Sequence, residues 1–245
     1  MKQTLENFSF AAWMARETYR WTEGAHEAID PVMLQYRNET ESAKSKVRPL
    51  LDLARPLDVF RDAHAKVLSR ITGLRTSSQL IAYQQLMLSE LLCAFPLRRG
   101  HWGDMRITED LVPDNPRYNS LHIYSSPQGD GKGRYALVAP VSAFKNRAHS
   151  ERLKTLDPPR IVYNLGEWLD PMIHRYFEEV WPRLDDGKTA NRLFTIATEE
   201  GLYQRFTEFQ RRHLLPHIPL LTRPWGFHPY RVVVATHAIK NAKDK

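Results

Sequence analysis

Cationic side chains cluster at three points of the sequence. Phe95-Pro96-Leu97-Arg98-Arg99-Gly100-His101-Trp102 follows a long apolar run, Ala143-Phe144-Lys145-Asn146-Arg147 follows a β-type run, and Gly226-Phe227-His228-Pro229-Tyr230-Arg231 opens a further apolar stretch. His228 and Arg231 are three apart, which puts both on one face of a helix's first turn. The chemistry of the set is coherent. Two arginines offer forked donors to the non-bridging oxygens of one phosphate and offset the charge that builds in a pentacoordinate transition state. A histidine can accept the proton of an attacking hydroxyl, and a lysine can protonate a departing oxygen. Nothing in this scheme needs a metal. Each residue also has a plainer reading: Arg98 as a cation at a helix C-terminus, worth about 0.3–1 kcal/mol, Lys145 as a solvated hairpin charge, His228 as a neighbour of a helix cap and Arg231 as a surface group.

Other motifs are weaker. Gly129-Asp130-Gly131-Lys132-Gly133 has the glycines of a phosphate loop, but Arg134 and a strand follow where a Lys-Ser/Thr pair entering a helix is required, so it reads as a hairpin turn. His174 and Glu178 stand at i and i+4 without a third ligand at a suitable spacing. His213 and His217 are also four apart, but Pro216 interrupts the helix that would align them. The six tryptophans and the aromatic helix faces read as core rather than as base-stacking platforms.

The elements that must carry these residues follow from periodicity. Phe8–Tyr19 and Pro31–Tyr36 have helical stretches, and the polar run Asn38–Ser45 reads as a linker, so a boundary is placed near residue 45. Pro56 suits a helix start, with Leu57, Phe60, Val67, Leu68 and Ile71 close to one face. Thr76 with Ser77 or Ser78 can cap a second helix, in which Leu80, Tyr83, Met87, Leu91 and Ala94 repeat until Pro96. Leu121–Tyr124, Tyr135–Val141 and Arg160–Leu165 are short β-type runs and predict a three-stranded antiparallel sheet. Helices resume with Leu169, Ile173, Tyr176, Val180 and Leu184 on one face, and with Leu202, Phe206, Phe209 and His213 on another. A last helix is expected over Tyr230–Ile239. Runs of one element type followed by runs of another predict an α+β fold, mainly helical with a small sheet.

The chain has 245 residues, 42% hydrophobic and 26% charged, enough for a packed core. No run approaches the ~18 apolar residues of a membrane span, and the start lacks the pattern of a signal peptide. A cytoplasmic protein with no membrane partner and no small-molecule cofactor is expected. Cys93 is the single cysteine and sits in an apolar run, which suggests a buried, inert thiol. The net charge is +7, and from Arg211 to Lys245 seven basic residues face only Asp244. Such an excess suits a polyanionic partner.

In order and surroundings, Pro96-Leu97-Arg98, Phe144-Lys145-Asn146 and His228-x-x-Arg231 resemble the tyrosine recombinase (phage integrase) family. Arg160-Ile161-Val162-Tyr163-Asn164-Leu165, continuing through Trp168 to Trp181-Pro182-Arg183-Leu184, is similar to the strand-helix segment after the family's lysine. The resemblance spans about residues 46–242. It implies DNA breaking and rejoining, as in site-specific recombination or integration, through a 3′-phosphotyrosyl intermediate without ATP or metal. Arg98 and Arg231 would clamp the scissile phosphate, Lys145 would be the general acid and His228 would assist proton transfer. Lys132 and Lys154 compete with Lys145 for its role. Arg99, Lys132, Arg147, Lys154 and Arg223 are expected to bind double-stranded DNA, and a homo-oligomer is expected to form on it.

The sequence also departs from the family. The 14 residues after Arg231 contain no tyrosine and leave room for about one helix, so the expectation is a catalytic domain over 46–245 that stops before its nucleophile, preceded by a helical extension over 1–45. Tyr230 would point to a different helix face from Arg231 and is not a substitute. His101 stands where the family often has an acidic residue three positions after the first arginine. A non-catalytic DNA-binding or regulatory protein on the same fold is the alternative reading, and no RNA-binding motif is present.

Overall fold

A computed structural model describes residues 44–71, 73–109, 111–144, 151–184, 191–196 and 198–242. The chain divides into two compact units, each assembled from separate stretches. The described part of the first comprises the residues up to 71, Ser89–Pro96 and Arg205 onward; the second comprises Gly73–Leu88 and Leu97–Gln204.

The first unit is helical. Helix α1 (residues 44–51) buries Val47 and Leu50. Helix α2 (Pro56–Arg70) starts on Pro56, whose missing N–H costs nothing in a first turn, and buries Leu57, Phe60, Ala63, His64 and Val67 on one side. The last turns of α3 (Ser77–Ala94) supply Leu91 and Leu92 to this core. Phe206 and Phe209 from α8 (Glu199–Phe209) join them, and a π-helical turn, Gln210–Leu214, and a 3-10 turn, Leu215–His217, follow. The unit closes with α9 (His228–Ala242), two residues longer at the start and three at the end than periodicity suggested. Lys240 Nζ donates to the carbonyls of Leu51 (2.7 Å) and Leu53 (2.8 Å), a cation set at and just beyond the C-terminal end of α1.

The second unit holds the sheet. At the start of α3, Thr76 Oγ1 accepts from Gln79 N at 3.3 Å while Gln79 Oε1 accepts from Thr76 N at 3.1 Å, a reciprocal cap that fixes Thr76 as the boundary residue. The short helix α4 (Arg99–Gly103) precedes β1 (Arg106–Thr108), β2 (Ser120–Ile123) and β3 (Lys132–Pro140); α5 (Glu151–Lys154) and β4 (Arg160–Gly166) follow. The strand order is β1-β2-β3-β4, with β2/β3 and β3/β4 antiparallel. The expected three-stranded antiparallel sheet is therefore a mixed sheet of four, because β1 pairs parallel to β2. Three residues are too few to display an alternation. This strand is instead held by backbone bonds on both sides, from Arg106 N to Asn119 O (2.8 Å) and from Ile107 N to Asn191 O (2.7 Å). Beyond β4, α6 (Asp170–Arg175) runs through a π-helical turn, Tyr176–Val180, into α7 (Trp181–Leu184).

The glycine-rich segment is a hairpin turn. Asp130 and Gly131 both have positive φ, as a two-residue hairpin loop requires, and Lys132 N donates to Gly129 O at 2.8 Å. Gly133 serves a different purpose. A Cβ there would lie 2.1 Å from Asp170 Oδ1, because the Asp170 carboxylate accepts the N–H of Arg134 at 2.9 and 3.1 Å.

Candidate functional site

Helix α9 places two of the four expected residues. The turn before it is fixed by Gln210, a fully buried side chain on the π-helical turn. Its Oε1 accepts from Trp225 N (3.1 Å) and Gly226 N (2.9 Å), and its Nε2 donates to Gly226 O (3.4 Å). Gly226 has φ +73°, a conformation that glycine adopts without steric cost. The chain then enters α9 with His228 and Arg231 on its first turn, both half-buried. Arg231 Nη1 donates to the carbonyl of Pro96 at 3.1 Å. Pro96 stands two residues before Arg98 in the sequence.

Tyr230, between them, points the other way. Its ring packs on Phe60 (4.9 Å between centroids), Phe206 (6.0 Å) and Trp225 (6.1 Å), and its hydroxyl lies 2.5 Å from Ser89 Oγ. Burial pushes the phenol far above its usual range, with the neighbouring Cys93 acting in the same direction. The expectation that Tyr230 and Arg231 occupy different faces holds.

The hydroxyl of Ser89 joins a chain of buried polar groups. His64 Nε2 lies 2.6 Å from it, and His64 Nδ1 lies 3.0 Å from Glu90 Oε1, close enough for charge attraction but not aligned as a hydrogen bond. With the ring proton on Nδ1, facing the carboxylate, Nε2 accepts from Ser89 and Ser89 accepts from Tyr230. Glu, His and Ser in this order have the connectivity of a nucleophile relay. Here, however, Ser89 is fully buried in the middle of α3 and its oxygen is occupied by Tyr230. The arrangement secures α2, α3 and α9 to one another. Cys93 is buried beside it, and burial first, then Glu90, pushes its thiol well up, as an inert thiol requires.

Of the other expected residues, all but Arg223 belong to the second unit or lie outside the described residues. Arg98 is the N-cap residue of α4, in extended conformation, and its carbonyl accepts from His101 N at 3.0 Å. Arg99 is held by carboxylates: its Nε donates to Glu199 at 2.6 Å, its Nη1 to Glu200 at 3.2 Å, and its guanidinium lies 5.1 Å from the Tyr203 ring centre. His101 Nε2 donates to the carbonyl of Ala143 at 2.9 Å, and its ring meets Phe144 edge-on at 5.2 Å. A buried histidine thus fixes α4 to the segment that leads toward Lys145. Lys145 and Arg147 lie outside the described residues. Lys132 begins β3, Lys154 ends α5 in an exposed position, and Arg223 is exposed ahead of Trp225 in the first unit.

Gln210, Ser89 and His64 were not anticipated from the sequence. Gln210 carries a faint signal, as a polar residue inside the apolar repeat Phe206, Phe209, Leu214. His174 pairs with Glu178 at 3.0 Å on an exposed face. Among the described residues no three His, Cys, Asp or Glu side chains are grouped to hold a metal, and no helix is long and apolar enough to cross a membrane. Comparison of the chain with protein-family models, with curated proteins and with solved structures finds no match.

Proposed function

We propose that the chain is a DNA-binding domain of the breaking-and-rejoining type, related in its active groups to tyrosine recombinases. The observation that carries this reading is Arg231. It is fixed by the Pro96 carbonyl, with His228 three residues earlier on the same first turn of α9, and the bonded carbonyl belongs to the Pro96-Leu97-Arg98 sequence that supplies the first arginine. By resemblance to that family, Arg98 and Arg231 would neutralise a phosphodiester, His228 would receive the proton of the attacking hydroxyl, and Lys145 would protonate the 5′ oxygen as its bond to phosphorus breaks. Tyr230 is not that hydroxyl, since its side chain is sealed in the core against Ser89.

A second reading, a non-catalytic DNA-binding protein on this scaffold, is favoured by the charge distribution. The described residues of the first unit hold thirteen Lys and Arg against five Asp and Glu, a net +8, whereas those of the second hold thirteen against twelve. The basic excess belongs to the unit that carries α9.

Vanadate, which adopts the geometry of a phosphoryl transition state, separates the two readings. Its binding to the whole chain is followed by vanadium NMR. On the first reading Arg98→Ala and Arg231→Ala each weaken vanadate binding about tenfold or more, as loss of a charge-assisted hydrogen bond worth about 1.5–3 kcal/mol requires. Vanadate binding unaffected by both substitutions, with duplex DNA still bound, rejects the first reading in favour of the second.

A further inference from the structure

Two arginines stand side by side at the start of α4, and the second unit treats them differently. Arg99 is committed: its Nε donates to Glu199 Oε1 at 2.6 Å, its Nη1 to Glu200 Oε2 at 3.2 Å, and its guanidinium lies 5.1 Å from the Tyr203 ring centre. The side chain of Arg98 is half-buried and forms no hydrogen bond or ion pair among the described residues. Both carboxylates lie in the first turn of α8, where the positive end of the helix favours them independently of Arg99. A helix of five residues has too few internal bonds to hold its own direction, and α4 is held from outside. Its backbone lies close against α8. A Cβ on Gly103 would stand 3.0 Å from Glu199 Cβ and 3.1 Å from Glu199 Cα, and one on Gly100 would stand 3.5 Å from Glu199 Oε2, so the approach at 103 needs glycine. On another side His101 Nε2 donates to the Ala143 carbonyl at 2.9 Å. A single residue, Glu199, thus braces α4 at Arg99, Gly100 and Gly103.

We propose that Glu199 and Arg99 are positioning residues for the phosphodiester site: together they fix α4 so that Arg98, its N-cap, presents its guanidinium in one direction, and Arg99 serves as that anchor rather than as a DNA contact. The inference rests on the breaking-and-rejoining reading above and reassigns Arg99 within it. Charge alone and positioning give opposite signs. A carboxylate near an anion site repels the anion, so neutralising Glu199 strengthens anion binding if charge is all that acts. If Glu199 positions Arg98, neutralising it lets α4 leave the aligned state and weakens binding. The pair is partly exposed, so the loss is bounded by what such a pair adds to the aligned state, about two- to fivefold.

Vanadium NMR titrations of the full chain with vanadate test this in Glu199→Gln, Arg99→Ala and the double variant, alongside fluorescence anisotropy of a labelled DNA duplex over a range of salt. Each single substitution is expected to weaken vanadate binding about two- to fivefold, and the double variant no further than the weaker-binding single, because both remove one interaction. The slope of log affinity against log salt is expected to stay that of the unsubstituted chain, since no phosphate contact is lost. Thr76→Ala, which removes a cap elsewhere in the same unit, is the control for stability: it lowers the melting temperature and leaves vanadate binding unchanged. Tighter vanadate binding by Glu199→Gln, or a salt slope lower by about one in Arg99→Ala, makes Arg99 a phosphate ligand and overturns the positioning role. Unchanged vanadate binding in both single variants, or an equal loss in Thr76→Ala, overturns it as well; the phosphodiester reading survives these results if Arg98→Ala weakens vanadate binding. Vanadate binding that Arg98→Ala leaves unchanged overturns that reading and this inference together.

Discussion

Replacing Ser89 by Ala removes one oxygen atom from the core and breaks two contacts at once. His64 Nε2 loses its partner at 2.6 Å and the Tyr230 hydroxyl loses its partner at 2.5 Å. Both are fully buried, so water does not replace the missing partner. Each orphaned buried group costs about 1–3 kcal/mol. Against this, alanine is a better helix former than serine by about half a kcal/mol, and the lost oxygen leaves little void. The expected net destabilisation is about 2–4 kcal/mol. Tyr230→Phe leaves Ser89 with His64 but also takes the hydroxyl away from Gln210 and Trp225, and is expected to cost about 1–1.5 kcal/mol. In the double variant the phenolic orphan no longer exists, so its cost falls short of the sum of the single costs by about 1 kcal/mol. Urea unfolding of the four proteins, followed by far-ultraviolet circular dichroism, measures each value. If Ser89→Ala lies within about half a kcal/mol of the unsubstituted chain, Ser89 does not join α2 to α9 and the reasoning fails.

Gln210→Ala leaves the amides of Trp225 and Gly226 without their acceptor; an expected loss of about 2–4 kcal/mol is read by the same urea titration, and duplex DNA affinity is expected to fall along with it, since this residue sets the entry to α9. Gly133→Ala drives a methyl group into the Asp170 carboxylate and is expected to cost about 2 kcal/mol or more, whereas Gly129→Ala meets no atom and is opposed only by its positive φ. Thr76→Ala removes the cap of α3, at about 1 kcal/mol. Stability is expected to fall on acidification. Burial, the largest cause in each case, lowers the imidazoles of His213, His217 and His237 in the folded chain. Below about pH 6.5 the unfolded chain therefore binds more protons, and stability present above that pH is lost as pH falls through the folded values. Urea midpoints at pH 7.5 and 5.5 check the direction.

The elements legible in the sequence are those whose signal is local. Thr76 and Gln79 are three residues apart and cap α3 within one turn, and Gly129-Asp130-Gly131 encloses its own hairpin. The repeat through Leu169, Ile173, Tyr176 and Val180 survives even a π-helical turn, since all four remain buried. Strand β1 escaped notice because its evidence lies in its partners at Asn119 and Asn191. The same holds for the site. His228-x-x-Arg231 is a short-range pattern and could be read directly. Ser89 finds His64 across 25 residues and Tyr230 across 141, and Gln210 bonds a loop 15 residues away. A buried hydroxyl, an imidazole and an amide have no periodicity to announce that they will meet.

The chain passes between the two units after residues 72, 88, 96 and 204. No single cut releases either of them. A fragment running from Gly73 to Gln204 would hold the whole second unit but also carry Ser89–Pro96, an insert whose Leu91, Leu92, Cys93 and Phe95 are buried in the intact chain. Freed of α2 and α9, that insert would present a greasy helical end to solvent, with Ser89 and Glu90 stripped of His64 and Tyr230. Dissection by shortening thus exposes sticky surface in place of an isolated part, and during synthesis Ser89 can meet His64 early but must wait for a segment made 141 residues later to meet Tyr230.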